Sequence, residues 1–126
     1  MSRKLATLSA LSLGAFAVLA LSAALADAAA GKAIFLAKNC QSCHGDGGEG
    51  NGPLAVTLDP KPRNFTVGDF KFDPSGDGKP GSDDDLRMVI KQGGAAFGGS
   101  PMMMPNPALT DDEIETIIVY IRSLKK

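Results

Sequence analysis

The sequence has few of the residues that bind metals or carry out acid/base catalysis. Its 126 residues include one histidine and two cysteines. A structural zinc site takes four ligands, so these three residues cannot form one without a carboxylate. Charge of either sign is not in excess, because 13 basic and 14 acidic side chains give a net charge of −1. This mild acidity excludes a basic nucleic-acid-binding surface, and the length allows one domain at most.

The first 28 residues have the layout of a secretory signal peptide. Arg3 and Lys4 precede an uncharged run from Leu5 to Ala26 that is rich in alanine and leucine. The pattern Ala26-Asp27-Ala28 predicts cleavage after Ala28, which leaves residues 29–126 as a periplasmic domain that is not inserted in the membrane. An uncleaved anchor is the alternative, since an uncharged run of 22 residues is long enough to cross a bilayer.

The stretch Cys40-Gln41-Ser42-Cys43-His44 is the most informative motif in the chain. On a helical turn the positions i, i+3 and i+4 share one face, so both thiols and the imidazole point at the same object. This set suits a covalently attached c-type haem, with thioether bonds from Cys40 and Cys43 and with His44 as the proximal ligand of the iron. We therefore predict one haem c.

Other uses of the two cysteines fit the sequence less well. A thioredoxin-like redox pair is followed by a helix in a βαβ unit, whereas residues 45–52 include five glycines that disfavour a helix. A structural disulfide between Cys40 and Cys43 leaves His44 unexplained. The redox pair stays as the main alternative.

A second iron ligand has to come from a residue type other than histidine, because His44 is the only one. The candidates are a methionine, a lysine, an asparagine, a terminal amine or an open position. Met102-Met103-Met104 lies in a proline-rich segment before the last predicted helix. Prolines stiffen a loop, and a stiff loop holds a weak ligand in place. We assign Met104 as the axial ligand, with Met103 and Met102 as alternatives.

Two helices are predicted from their capping residues. Ser82 followed by Asp83-Asp84-Asp85 is a helix start, and Gly93-Gly94 ends that helix. Thr110-Asp111-Asp112-Glu113 is a capping box, and the apolar face after it predicts a helix to Leu124.

An N-terminal helix is predicted from about Ala30 to Asn39, with Gly31 and Phe35 on one face. Gly31 allows another helix to approach closely, and Phe35 fills the space beside it. We expect Tyr120 and Ile121 of the last helix to meet these two residues, so that the two ends of the domain pack together.

The segment from Asp59 to Gly81 has four prolines and four glycines and lacks periodicity, which predicts irregular structure wrapped around the haem. Arg63 and Asn64 are candidates to hydrogen-bond a haem propionate, although a solvated arginine is equally compatible. The run from Asp73 to Gly78 lacks the ordered ligand spacing and the closing glutamate of an EF-hand, so we interpret it as a turn-rich surface loop.

Taken together, these motifs resemble the class I c-type cytochromes, which carry one haem. The resemblance covers nearly all of residues 29–126 and implies a small all-α fold of three to five helices, with crossed terminal helices around the haem. It implies that the carbonyl of Pro53 holds the proximal histidine and that the methionine before a proline, Met104, binds the iron. It also maps the family's helix crossing onto Gly31, Phe35 and Tyr120.

The resemblance implies an electron carrier that exchanges electrons with redox partner proteins and breaks no substrate bond. A small haem enzyme or gas sensor with a labile methionine ligand is one alternative. A second histidine for acid/base catalysis would support it, and the sequence has none. A haem subunit of a larger oxidoreductase complex is the other alternative, because a fold does not specify its partners.

Overall fold

A computed structural model describes residues 9–126 of the chain. Within this range the structure has no β-strand and consists of four α-helices, namely α1 (Ser9–Ala37), α2 (Gln41–His44), α3 (Asp83–Gln92) and α4 (Asp111–Ser123). Two short 3-10 turns, Ala55–Thr57 and Ala95–Phe97, lie in the loops. The predicted all-α fold is therefore confirmed.

The two parts of helix α1 differ in how far their side chains are buried. In its first part, apolar side chains such as Leu19 and Leu25 are more than 60% exposed, whereas Gly31 and Phe35 near its end are buried. The segment Phe16–Ala37 is long and apolar enough to cross a membrane, a property that signal sequences share. Residues 1–8 of the predicted signal peptide lie outside the described residues, and the predicted cleavage after Ala28 stays a prediction.

The end of α1 crosses α4 at Gly31. A Cβ atom at this position would lie 2.2 Å from the carbonyl oxygen of Thr116 and 2.7 Å from the Cβ of Tyr120, so no larger residue fits. One turn later, Phe35 is 1% exposed and meets the ring of Tyr120 edge to face, with ring centroids 5.3 Å apart. The predicted contact between the terminal helices is confirmed.

The capping residues set where α3 and α4 begin. Ser82 accepts a hydrogen bond from the Asp85 N–H, and Thr110 accepts one from the Glu113 N–H; in both cases the acidic side chain bonds back to the capping residue. Both helices pack their apolar faces into the core, which consists of Phe35, Phe65, Leu86, Leu109, Ile114, Ile117, Ile118, Tyr120 and Ile121.

Asp85 does more than cap its helix. It is 1% exposed, and its two carboxylate oxygens accept hydrogen bonds from the backbone N–H groups of Ser75, at 2.9 Å, and Ser82, at 3.0 Å. Burial acts to raise the pKa of Asp85, but these hydrogen bonds outweigh it and lower the pKa to about 2. The carboxylate therefore fastens the loop before α3 to the helix.

The loop from Asp73 to Gly78 has the turns that the sequence indicates. The Asp73 carboxylate accepts hydrogen bonds from the N–H groups of Asp77, at 3.1 Å, and Gly78, at 3.0 Å. One of its oxygens lies within 4.8 Å of one oxygen of Asp77 and one of Asp85. Ser75 within this loop donates to Asp85, which holds the loop against the start of α3.

Candidate functional site

The two cysteines and the histidine lie on one helical turn, as their spacing predicts. Cys40 has helical backbone angles, and its carbonyl oxygen accepts hydrogen bonds from the N–H groups of Cys43, at 3.3 Å, and His44, at 3.0 Å. All three side chains are partly buried and border the same cavity. The turn therefore presents two sulfurs and one imidazole to a single space.

The glycine-rich loop after this turn folds back onto it. The N–H of Gly52 donates to the carbonyl of Cys43 at 3.0 Å, and the N–H of Leu54 donates to that of Ser42 at 2.9 Å. A Cβ at Gly52 would lie 2.4 Å from the carbonyl oxygens of Gln41 and Ser42, so only glycine allows this approach. The loop thereby holds the attachment turn in a fixed position.

The imidazole of His44 is oriented by the segment that follows the prolines. Its Nδ1 lies 3.1 Å from the carbonyl oxygen of Arg63, and its ring stacks on Phe65 with centroids 4.5 Å apart and 18° between the planes. Because a carbonyl only accepts hydrogen bonds, Nδ1 carries the proton and Nε2 keeps its lone pair for a metal.

The acceptor for His44 corrects the assignment to Pro53. Pro53 is exposed, whereas stacking on Phe65 turns the imidazole toward the backbone of residues 63–65.

Burial is the main cause that lowers the pKa of His44, with a further contribution from the charge of Arg63, while the hydrogen bond to the Arg63 carbonyl acts in the other direction. His44 is therefore a neutral imidazole near pH 7, the form that binds metals.

Cys40 and Cys43 do not form a disulfide with each other. Burial raises the pKa of Cys40, and the neighbouring Cys43 adds to this effect, while a backbone hydrogen bond acts against it. A buried thiol with a raised pKa is a weak nucleophile at neutral pH. This environment is unlike that of a thioredoxin-type redox cysteine, whose pKa is lowered.

The cavity has a volume of about 400 Å³, within the range of roughly 300–1,000 Å³ that is typical of cofactor sites. Apolar side chains form much of its wall, including Leu54, Leu58, Pro60, Pro62, Phe65, Phe70, Phe72, Leu86, Val89, Ile90 and Ile121. The three methionines of the proline-rich loop border it as well. A large apolar group thus fits between the attachment turn, α3 and this loop.

Arg63, the candidate to hydrogen-bond a haem propionate, borders the cavity. Its guanidinium lies 5.9 Å from the centre of the Phe72 ring. Lys38, Lys61 and Lys71 also border the cavity, with Asp85 as the one bordering carboxylate. The wall is therefore positively charged and suits the carboxylates of a porphyrin. Asn64 instead turns its side-chain oxygen to Thr66, which donates to it from N and Oγ1.

The residues thus fit a haem: two thiols and a neutral imidazole on one turn, an apolar cavity beside them, cations at its wall and thioethers on a loop. Within the methionine triplet, the side chain of Met104 is 68% exposed and that of Met102 is 62% exposed, while Met103 is partly buried. The assignment of Met104 as the axial ligand stays a prediction.

Two features of the site were not predicted from the sequence. The carbonyl of Arg63 is 19 residues from His44, and no side-chain pattern indicates a backbone acceptor at that distance. Asp85 belongs to a run of three acidic residues that helix capping explains, so nothing in the sequence indicates that it is buried. The aromatic residue Phe65, in an otherwise irregular and polar segment, was the available signal for the contact between His44 and residues 63–65.

Comparison with known proteins supports this interpretation. The family model of cytochrome c matches residues 28–125. A chain of the reducing HAO-like protein complex of Kuenenia stuttgartiensis is similar in structure, with a TM-score of 0.63 and 32% sequence identity. The match covers 76% of this chain and 41% of that chain, so the present chain spans less than half of the length of this relative. No curated protein matches the chain.

Proposed function

Because the chain belongs to the cytochrome c family, whose members bind haem c covalently, we propose that it is an exported electron carrier with a single haem attached through Cys40 and Cys43. The observation that carries this proposal is the single turn on which Cys40, Cys43 and His44 border one apolar cavity of about 400 Å³. When bound, the haem supplies the one-electron couple of its iron.

The protein's contribution is to hold the ligands and exclude water. His44 is kept in one tautomer by the Arg63 carbonyl and in one orientation by Phe65. The apolar wall of the cavity keeps solvent away from the redox centre, which limits the rearrangement that accompanies electron transfer. A thioether from the segment Met102–Met104 would supply the second ligand, and methionine–histidine ligation raises the reduction potential.

Redox partner proteins meet this chain where the cavity opens. Leu54, Met102 and Met104 border the cavity and are 53%, 62% and 68% exposed, respectively. Exposed apolar side chains grouped around a site are typical of protein contacts. Lys38, which also pairs with Glu113, and the exposed Lys71 border the same cavity, so a partner with an apolar centre and acidic groups around it fits this face.

A haem subunit of a larger oxidoreductase complex is the second candidate function. It is favoured by one observation, the similarity to part of a chain from the reducing HAO-like protein complex. In both functions the chain would hold a haem for electron transfer and break no substrate bond, so they differ in whether the partner is bound permanently. Because the sequence predicts a signal peptide that is cleaved after Ala28, we propose a periplasmic location for either form.

Spectroscopy of protein that has been exported and matured with haem tests the proposal. We expect spectra of a haem with two axial ligands in both oxidation states, a reversible one-electron wave in voltammetry and slow binding of carbon monoxide. A high-spin haem that binds carbon monoxide or peroxide rapidly would instead support the enzyme or sensor. Co-purification of a stoichiometric partner from the native cell would support the subunit over the free carrier.

A further inference from the structure

Asp85 is the one carboxylate among the described residues that border the cavity, and it lies in the first turn of α3. Its neighbour Leu86 and, further along the same helix, Val89 and Ile90 form apolar parts of the cavity wall. Asp85 is 1% exposed, although aspartate is rarely buried completely unless it is paired. A buried acidic group therefore lies at the cavity wall, where holding the iron ligands gives it no part.

The hydrogen bonds that Asp85 accepts come from neutral groups. Its two oxygens accept from the backbone N–H groups of Ser75, at 2.9 Å, and Ser82, at 3.0 Å. Burial acts to raise the pKa of Asp85, but these hydrogen bonds outweigh it and keep the pKa at about 2, so the group is charged at neutral pH. Because N–H groups carry no net charge, they stabilise the anion without cancelling its charge.

The charge of Asp85 is not compensated by an ion pair in the part of the chain that the structure describes. The ion pairs there join other side chains, and Asp84, directly beside Asp85, pairs with Arg87. One oxygen of Asp73 and one of Asp77 lie within 4.8 Å of a carboxylate oxygen of Asp85. Charge of the same sign is therefore gathered around Asp85.

The loop before α3 shields this charge from water. The N–H of Gly81 donates to the carbonyl of Phe72 at 3.0 Å, and a Cβ at Gly81 would lie 2.3 Å from the Cβ of Phe70. These three residues border the cavity together with Asp85, so the loop lies tightly against the cavity wall. A charge that is shielded from the solvent is screened by salt much less than a charge at the surface.

From this placement we propose that Asp85 lowers the reduction potential of the haem, as a fixed negative charge at the cavity wall that favours the oxidised iron. The proposal rests on the proposed function, since it needs a haem in the cavity. Ferric iron carries one more positive charge than ferrous iron, so an anion near it stabilises the ferric state. Reduction adds one electron from the redox partner and leaves Asp85 ionised, so no proton moves to this residue.

Asp85→Asn removes the charge and nearly preserves the shape of the side chain. Spectroelectrochemical titration of the haem-loaded protein at neutral pH measures the midpoint potential. We expect the equilibrium constant for reduction to rise about tenfold, which is about 59 mV for one electron. Asp84→Asn is the matched control, because Asp84 is the adjacent residue and is exposed. It should change the equilibrium constant by less than about twofold, since solvent screens its charge.

The direction of the shift separates the effect of the charge from the effect of packing. If the carboxylate only fastened the loop, Asp85→Asn would loosen it and let water reach the cavity. Water favours the more highly charged ferric state, so the potential would then fall. A potential that is unchanged or lower in Asp85→Asn overturns the proposal.

Two further variants keep the test independent of one substitution. Asp85→Glu changes the packing and keeps the charge, so its potential should stay near the wild-type value. Asp85→Ser removes the charge with a smaller side chain and should raise the potential, which provides the test if Asp85→Asn does not fold. An equal rise in Asp85→Glu and in the neutral variants would contradict the role of the charge.

Denaturation by urea in both oxidation states gives a readout that a purely structural role would not move. Lost packing costs the ferric and ferrous proteins the same stability, whereas a charge that favours ferric iron stabilises the ferric fold more. We expect Asp85→Asn to lower the folding equilibrium constant about tenfold further in the ferric than in the ferrous protein, the same factor as in the potential. Equal losses in the two forms contradict the proposal.

A failure of the proposed function gives a different result. In that case the exported wild-type protein contains no haem and shows no redox wave, which overturns both proposals. A wild-type protein with a haem and a reversible wave, whose potential is unchanged or lowered in Asp85→Asn, overturns the role of Asp85 and leaves the electron carrier intact.

Discussion

The Nδ1 atom of His44 lies 3.1 Å from the carbonyl oxygen of Arg63, 19 residues further along the chain. This hydrogen bond joins the attachment turn to the irregular segment that follows it, and the stacked ring of Phe65 lies beside it. The orientation of the proximal imidazole therefore depends on how residues 63–65 are packed. Substitutions in residues 63–65 should therefore change the orientation of the His44 imidazole, although Cys40, Cys43 and His44 themselves stay unchanged.

Phe65→Ala tests how much this packing contributes. The ring of Phe65 is 6% exposed and contacts His44, Phe35 and Phe70, with centroid distances of 4.5, 6.4 and 6.2 Å. Removing a buried phenylalanine costs about 3–5 kcal/mol, so we expect a loss of this size in the free energy of unfolding, measured by urea denaturation of the haem-loaded protein.

Val67→Ala is the control for this variant, because Val67 is 61% exposed two residues away. It should change the stability by no more than about 0.5 kcal/mol. Equal effects of the two substitutions would mean that Phe65 does not hold the segment against the imidazole.

Gly31→Ala tests the crossing of α1 and α4. In an exposed helix, alanine is more favourable than glycine by about 1 kcal/mol. At Gly31 the methyl group would meet the Thr116 carbonyl at 2.2 Å, so the helices have to separate and we expect destabilisation of about 1–3 kcal/mol. Thermal unfolding shows whether the substitution lowers or raises the stability of the fold. Ala33→Ser, at an exposed position of the same helix, is the control, and a stabilised Gly31→Ala variant would disprove the close crossing.

Asp85→Asn should change how stability depends on pH. The pKa of Asp85 in the folded protein is about 2, below its ordinary value of 3.8. A carboxylate with a lowered pKa stabilises the fold above its unfolded-state pKa, and this stabilisation is lost as the pH falls from about 4 to about 2. The variant should therefore be less stable than wild type near neutral pH, and the difference should shrink over this acidic range.

Urea denaturation at several pH values measures this difference, with Asp69→Asn at an exposed position as the control. A difference between wild type and Asp85→Asn that stays constant from pH 7 to about pH 2 would contradict the role of the charged form. In that case the side chain would act through its shape alone.

The parts of the fold that could be predicted from the sequence are those that local chemistry determines. Ser82 and Thr110 mark the starts of α3 and α4 because capping involves residues only three positions apart. Cys40, Cys43 and His44 share a face because helical geometry requires it. The contact of Gly31 and Phe35 with Tyr120 was predicted from a glycine and an aromatic residue one turn apart in the first helix and the apolar face of the last helix, although it joins the two ends of the domain.

The parts that could not be predicted depend on contacts between distant segments. The partner of His44 is a backbone carbonyl, which every residue has, so no residue type identifies Arg63 as its source. Met103 is less exposed than Met102 and Met104, which could not be predicted because three identical residues in a row carry no periodic signal. Asp85 is buried because a loop ten residues earlier folds over it.

Intact-mass spectrometry of the exported protein under denaturing conditions tests the central claim most directly. We predict a chain that begins at Ala29 and carries the added mass of one haem, with no thiol left to alkylate. The double variant Cys40→Ser/Cys43→Ser should lack the added mass. A wild-type chain with two alkylatable thiols and no bound tetrapyrrole would contradict the account.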